Sequence, residues 1–342
     1  MGGAEVYLVR LSGLLSGRAR LFAVCAHHEL AQQLAANRVE VLCLPTPFGR
    51  GVQRFLKYPM LLLAALWLAL RHRVHAVHIS GYQSAFLLAP LRLAGCRAFI
   101  TPHHLPRGAV ALRGYVAGAR WAHGVVNVSA TVDQEHRALL PSVPSQVVPN
   151  WIPLLPPRMP PRAMRPARRV LFVGRLAANK GLPDLLQAIR LLAGEVGLLV
   201  AGEGPMRAEF ERLASGLPVE FCGYHPDLTR LYADADALIV PSHGPEGSCL
   251  VALEAMAHGL PCALSDLPVY REIALDGKAA LLFPAGDAPA IAAAVRSLIA
   301  DRSLGAQLAS AAFHMIRDRY SQEAASLIYF RTFGVAATPC RK

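Results

Sequence analysis

The chain has 342 residues, of which 54% are apolar and only 17% charged, yet its formal charge is +12. That length corresponds to about two domains of roughly 100–200 residues each, and the apolar share supplies a core for both, which excludes a disordered or fibrous chain. The charge is unevenly placed, with 20 Lys and Arg against 5 Asp and Glu in residues 1–169 and 15 against 18 in residues 170–342, so two units with different partners are expected.

The start MGGAEVYLVR has no basic segment leading into an uninterrupted apolar one, and Val6 stands where a myristoylation motif needs Ser or Thr. Export and N-terminal lipidation are therefore not expected. A helix over 4–15 is followed by strands over 21–25 and 39–44. The apolar run 60–70, closed by Arg71-His72-Arg73, is shorter than the roughly 20 residues of a bilayer span and reads as a buried helix. Strands over 74–80, 98–102, 124–129 and 146–149 complete a first α/β domain. Residues 151–169 contain six prolines and five arginines, which deny them a continuous helix or a central strand and mark a linker.

Beyond the linker, strands over 170–174, 198–202, 219–223, 237–241 and 261–265 alternate with helices over 182–192, 206–213, 228–232 and 249–258. Single helices between short β-branched runs make βαβ units and a parallel sheet covered on both faces. Residues 304–332 read as two helices, the last able to return to the first domain. The expected domains are 1–152, a linker 153–169, 170–315, and a terminal segment 316–342. Seven cysteines stand far apart without a C-x-x-C pair, so neither a disulfide framework nor a zinc site is expected, and a reducing cytosol fits.

Open parallel sheets bind ligands beyond the carboxyl ends of their strands. There, Gly174-Arg175 follow one strand and Lys180-Gly181 precede the next helix, placing two cations beside a helix N-terminus, a combination suited to a diphosphate. Later, His243-Gly244-Pro245-Glu246-Gly247-Ser248 lead into a helix carrying Glu254. Amides at that helix start could receive phosphate while Glu246 and Glu254 accept from sugar hydroxyls. Either acid is also explained as part of a solvated surface.

The back half resembles the retaining glycosyltransferases of family 4. It matches VGRL-x3-KG at 173–181, AGEGP at 201–205, F-x-G at 221–223, Y-x-D-A-D-A-x-I-V-P-S at 232–242, E-x7-E at 246–254, EAMAHGLP at 254–261 and EI-x3-DG at 272–277. In the front half the matches are Val74–His78, Thr101-Pro102-His103-His104 and Val148-Pro149-Asn150. The resemblance implies the GT-B fold, an α/β architecture of two doubly wound Rossmann-like domains facing across a cleft. It implies transfer of a hexose from a nucleotide-sugar donor to a hydroxyl of a glycan or lipid-linked acceptor, with retention and without a metal or other cofactor.

Residue by residue, the resemblance assigns Gly174, Arg175 and Lys180 to the donor diphosphate, and completes the cradle with amides around Ser248, Cys249, Leu250 and Val251. Glu254 falls to the ribose, Glu246 to the transferred sugar, and His103 to the catalytic histidine. Where many members have EGFGL, Ser248-Cys249 replace Phe-Gly, and Cys249 is expected to crowd the helix start. Members also open with a β-strand before GG-x-E, whereas this chain begins Met1-Gly2-Gly3-Ala4-Glu5. The expectation is a first domain lacking that strand, less stable and less active, with Gly3 near the donor phosphate, or else a start lying upstream. A nucleotide-sugar-binding pseudoenzyme and a nucleotide-sugar epimerase are the alternative functions. The basic front half suits an anionic membrane and a peripheral place on its cytoplasmic face. Nucleic acid is not an expected partner, because the arginines are dispersed and no recognition motif accompanies them.

Overall fold

A computed structural model describes residues 2–44, 53–153, 159 and 168–335, so most of the Pro/Arg-rich linker lies outside the described residues. The chain forms two units: Met1–Asn150 with Gln322–Lys342, and Trp151–Ser321. In chain order the first contains α1 (Gly3–Leu15), β1 (Phe22–Cys25), α2 (His28–Ala36), β2 (Glu40–Cys43), α3 (Gln53–Arg71), β3 (Ala76–Ser80), α4 (Leu88–Leu93), β4 (Arg97–Thr101), α5 (Ala109–Ala119), β5 (Gly124–Asn127), α6 (Ala130–Leu139) and β6 (Ser145–Val147).

The second unit contains β7 (Arg169–Val173), α7 (Leu182–Leu191), β8 (Gly197–Ala201), α8 (Arg207–Leu213), β9 (Val219–Gly223), α9 (Thr229–Asp234), β10 (Ala237–Val240), α10 (Leu250–Ala257), β11 (Cys262–Ser265), α11 (Pro268–Ala274), β12 (Leu281–Phe283), α12 (Ala288–Ala300) and α13 (Arg302–Arg319). The last helix, α14 (Gln322–Phe333), belongs to the first unit again. The crossing falls between Ser321 and Gln322 instead of at 316, because α13 stays on the second unit, burying Ala312, Met315 and Ile316 in its core.

The second unit holds one parallel sheet in the order β12-β11-β10-β7-β8-β9. All four residues of β10 and of β11 are buried, as expected of strands covered on both faces. On one face α7 contributes Leu182, Leu185, Leu186 and Ile189, spaced for a single helical stripe and each 3% exposed or less. Burying a leucine of this kind stabilises the fold by about 1.5–3 kcal/mol. Asp287 and Asp301 cap α12 and α13, accepting from the N–H groups of Ala290 at 2.9 Å and Leu304 at 3.0 Å. β12, three residues at the sheet edge, is too short to register in the sequence pattern.

In the first unit β3-β4-β5-β6 form a four-stranded parallel sheet, and β1 and β2 form a separate parallel pair. Helix α1 serves both sheets. Leu8 and Val9 pack on the cluster of Cys25, Leu30, Ala31, Leu34 and Val39, while Tyr7 reaches residues of β3 and β4. Helix α14 adds Tyr329 to Tyr7, Phe333 against Phe99, and Arg18 stacked over Phe330.

The apolar run 60–70 forms the body of α3, and only one of its faces is buried. Leu61, Leu62, Ala65, Leu66 and Ala69 pack inward, whereas Leu63, Trp67 and Leu70 point outward. An apolar run hides its amphipathicity when both faces carry Leu, which is why the sequence reads as a buried helix.

Candidate functional site

The sheet order of the second unit reverses direction between β7 and β10, and loops beyond a switch point of this kind form the natural ligand crevice. The segment after β7 and the segment after β10 interlock there. The His243 N–H donates to the Asn179 carbonyl at 2.9 Å, and the His243 Nε2 and Asp184 Oδ2 approach to 2.5 Å. Gly181 has φ +68, and a Cβ on it would overlap the carbonyl oxygen of Pro241. Glycine is therefore required twice at this position, for the left-handed backbone and for the close approach.

Across this junction Lys180 Nζ donates to Glu246 Oε1 at 2.6 Å, with Glu246 only 11% exposed. The two residues stand 66 positions apart in sequence, and the parallel sheet sets them side by side. Arg175 is exposed and its guanidinium makes no hydrogen bond or ion pair among the described residues, so it can turn to a ligand. Gly174 follows β7, its N–H bonded to the Ala201 carbonyl at 3.0 Å.

The 241–249 segment runs into α10. The first helical hydrogen bond comes from Leu253 to the Cys249 carbonyl, so the N–H groups of Leu250 and Val251 precede it at a positive helix end. Ser248 is half-buried before them. Cys249 stands immediately before α10. Its side chain is buried in the core beside Ala252 and Tyr270, and burial pushes the thiol up to about 11, keeping it neutral. Glu254 lies one turn on, half-buried, accepting from the Tyr232 hydroxyl at 3.2 Å. Lys180, Glu246, Ser248 and the start of α10 are thus gathered at one end of one sheet, and Glu254 extends from the same helix.

In the first unit the ends of β3 and β4 hold a buried polar network. Ser80 pairs with Thr101 in register. The Tyr7 hydroxyl lies 3.1 Å from Thr101 Oγ1, 2.7 Å from the Tyr329 hydroxyl and 3.3 Å from His78 Nε2, and His78 Nε2 lies 2.9 Å from Thr101 Oγ1. His103 follows β4 with φ +63, a conformation uncommon outside glycine and frequent at functional positions. Its Nε2 shares a 2.8 Å hydrogen bond with Ser80 Oγ, and its ring meets Tyr7 edge-on at 5.0 Å. His104 turns aside to the Leu105 carbonyl and Tyr82. Gly3 opens α1 in this unit, and Glu5 caps the preceding amide, accepting from Gly2 N–H at 2.9 Å.

Burial is the main cause that lowers His103 to about 4 and His78 to about 3, so both rings are neutral near pH 7. These folded values lie below the free-chain value of about 6.5. The unfolded chain therefore binds more protons as pH falls, and stability present above about pH 6.5 is lost progressively toward pH 4 and below. Each ring contributes a slope approaching about 1.4 kcal/mol per pH unit. Thermal unfolding between pH 7 and pH 5 should show a falling Tm, and a flat Tm would mean that these rings are not buried neutral.

Sequence reasoning missed Tyr7, Ser80 and Tyr329. Ser80 carries a signal, lying two residues after His78 on the same strand face and at its end. Tyr7 and Tyr329 stand 322 positions apart on helices and carry none. Among the described residues no three His, Cys, Asp or Glu side chains are grouped as for a metal ion.

Two family models match the chain: "Glycosyltransferase Family 4" over residues 1–154 and "Glycosyl transferases group 1" over residues 167–301. The phosphatidyl-myo-inositol mannosyltransferase of Mycobacterium leprae is 32% identical over 182 residues, which is 51% of this chain and 48% of that protein. The sulfoquinovosyl transferase SQD2 of Arabidopsis thaliana is 33% identical over 138 residues, 39% of this chain and 27% of that protein. The chain thus spans about half or less of the length of these curated relatives. Among solved structures, Anabaena Alr3699/HepE in complex with UDP-glucose superposes with a TM-score of 0.84 at 18% identity, covering 98% of this chain and 96% of that one. That likeness establishes the GT-B type of α/β fold.

Proposed function

Because the chain belongs to the glycosyltransferases of family 4, with both of its halves matched, we propose that it transfers a hexose from a nucleotide-sugar donor to an acceptor hydroxyl with retention at the anomeric carbon. The observation that carries this reading is the junction at the switch point of the second unit, where Lys180 meets Glu246 beside the start of α10. A diphosphate there would receive the Lys180 ammonium, the Arg175 guanidinium and the amides of Ser248 to Val251, with Gly174 allowing its approach. Glu254 would accept from the ribose, and Glu246 from the sugar hydroxyls once Lys180 turns to phosphate.

As the anomeric C–O bond to the diphosphate breaks, the acceptor oxygen bonds to the same face of the sugar. The acceptor proton passes to the departing phosphate oxygen, so the balance closes without a protein nucleophile. Charge developing on the leaving diphosphate is met by donors already in place. In the first unit, His103, neutral and held by Ser80, would offer its imidazole to the sugar or acceptor, and Gly3 an amide to phosphate. A glycan precursor or a lipid-linked sugar is the acceptor class. The curated relatives named above include a transferase whose name specifies a phosphatidylinositol, which supports the lipid side of this reading.

Release of nucleoside diphosphate from a panel of UDP-, GDP- and ADP-sugars tests the reaction. Turnover of one donor with retained anomeric configuration is expected, and no release from any donor would overturn the reading in favour of a binding protein. Because fixed cations and amides meet the leaving group, EDTA is expected to leave the rate unchanged within about twofold, against the several kcal/mol that a catalytic metal contributes. A collapse of the rate in chelator, restored by a divalent cation, would overturn the metal-independent assignment.

A further inference from the structure

Residues 41–132 contain ten Lys and Arg and not one Asp or Glu. This acid-free stretch carries α3, α4 and α5, and the structure packs α3 against α4 and α4 against α5. It also carries the most exposed large apolar side chains among the described residues. On α3, Leu63, Trp67 and Leu70 are 67%, 56% and 64% exposed, and their spacing of four and three sets them in one stripe. No charged residue interrupts α3 between positions 58 and 70.

The three helices end alike. Leu70-Arg71 closes α3, Arg92-Leu93 closes α4, and Arg120-Trp121 follows α5, all exposed. The Arg92 guanidinium donates to the Trp121 carbonyl at 3.3 Å, which ties two of these ends together. Cations at helix C-termini offset the helix dipole. That accounts for the arginines and not for the exposed Leu and Trp beside them.

We propose that the α3–α4–α5 layer seats on an anionic phospholipid bilayer, with Leu63, Trp67 and Leu70 entering the interfacial region and Arg71, Arg73 and the paired ends of α4 and α5 meeting headgroup phosphates. Each feature matches that partner. Apolar side chains on a helix gain by entering the acyl boundary, a tryptophan suits the interface, and a stretch of chain with ten cations and no acid is drawn to a negative leaflet. A second copy of the chain fits less well, since two basic faces repel. A duplex nucleic acid gives the Leu63–Leu70 stripe nothing apolar to bury against. The layer lies flat on the membrane without crossing it, consistent with the absence of any described helix long and apolar enough to span a bilayer.

The test is flotation of the full chain with vesicles of phosphatidylcholine alone and of phosphatidylcholine with phosphatidylglycerol, at low and high salt, without donor or acceptor. Two variants accompany it, Leu63→Ser/Trp67→Ser/Leu70→Ser and Arg71→Gln/Arg73→Gln. All these side chains are exposed, and an unchanged Tm checks the fold. Wild type is expected on the anionic vesicles at low salt, and each variant should bind at least about tenfold more weakly. Failure of wild type to float with anionic vesicles overturns the proposal, as does binding that neither variant weakens. A concentration-dependent dimer abolished by the serine variant, in place of vesicle binding, would assign the face to a second copy instead. Because the readout needs no sugar transfer, failure of the transferase reading leaves it intact.

Discussion

Alanine at Lys180 is expected to lower kcat/KM for the nucleotide-sugar by about 10²–10³-fold, the usual cost of deleting one fixed donor aimed at developing charge. Two effects compete in such a variant. The Lys180–Glu246 pair is lost, and because Lys180 is 28% and Glu246 only 11% exposed, the largely buried carboxylate left behind costs more stability than the about 1 kcal/mol or less of a surface pair. The transition-state loss, about 2.7–4 kcal/mol, falls on turnover, whereas the loss of the pair appears as a lowered Tm. Arg175→Ala should act in the same direction without any effect on stability, since its guanidinium has no partner to lose among the described residues. Steady-state release of nucleoside diphosphate and a thermal melt on each variant separate the two effects. Turnover within twofold of wild type in both variants would remove the diphosphate from this junction.

Alanine at Gly181 is expected to damage the fold itself. The left-handed backbone at φ +68 costs a residue with a Cβ about 1–2 kcal/mol. Overlap with the Pro241 carbonyl forces the loops after β7 and β10 apart for about 1–3 kcal/mol more. The sum corresponds to a Tm drop of roughly 5–15 °C for a unit of this size. Gly216→Ala is the matched control, with φ +76 and open space around its Cβ position, so it should show the backbone cost alone. Equal melting temperatures for the two variants would mean that the two loops are not interlocked. Because Lys180 and Glu246 flank the displaced backbone, Gly181→Ala should also lose donor turnover.

The second unit was legible because each strand is a short apolar run ending in glycine or a polar residue, and a parallel sheet places such ends on one edge. Gly174, Arg175, Lys180 and Glu246 were readable from that rule before any pairing was known. What could not be read was which strands adjoin. The neighbourhood of β7 and β10, and with it the Lys180–Glu246 contact, depends on sheet order, which local periodicity does not encode. The Tyr7–Tyr329 pair lay furthest from reach, since buried tyrosines on helices are indistinguishable in sequence from ordinary core. The stripe on α3 was hidden for the opposite reason: leucine on both faces of a helix leaves no contrast to read.

The return of α14 to the first unit carries a consequence for biosynthesis. The second unit, Trp151–Ser321, is encoded as an insertion between two parts of the first, and Tyr329 must reach Tyr7 before the polar cluster around His78 and Thr101 closes. A ribosome making the chain therefore completes the later-encoded unit first. Its last core residues precede position 321, whereas the first unit waits for the final helix to emerge. Until then the nascent first unit holds its Tyr7, His78 and Thr101 without their partner, and it is this half that translation arrest or chaperone capture would find unfinished.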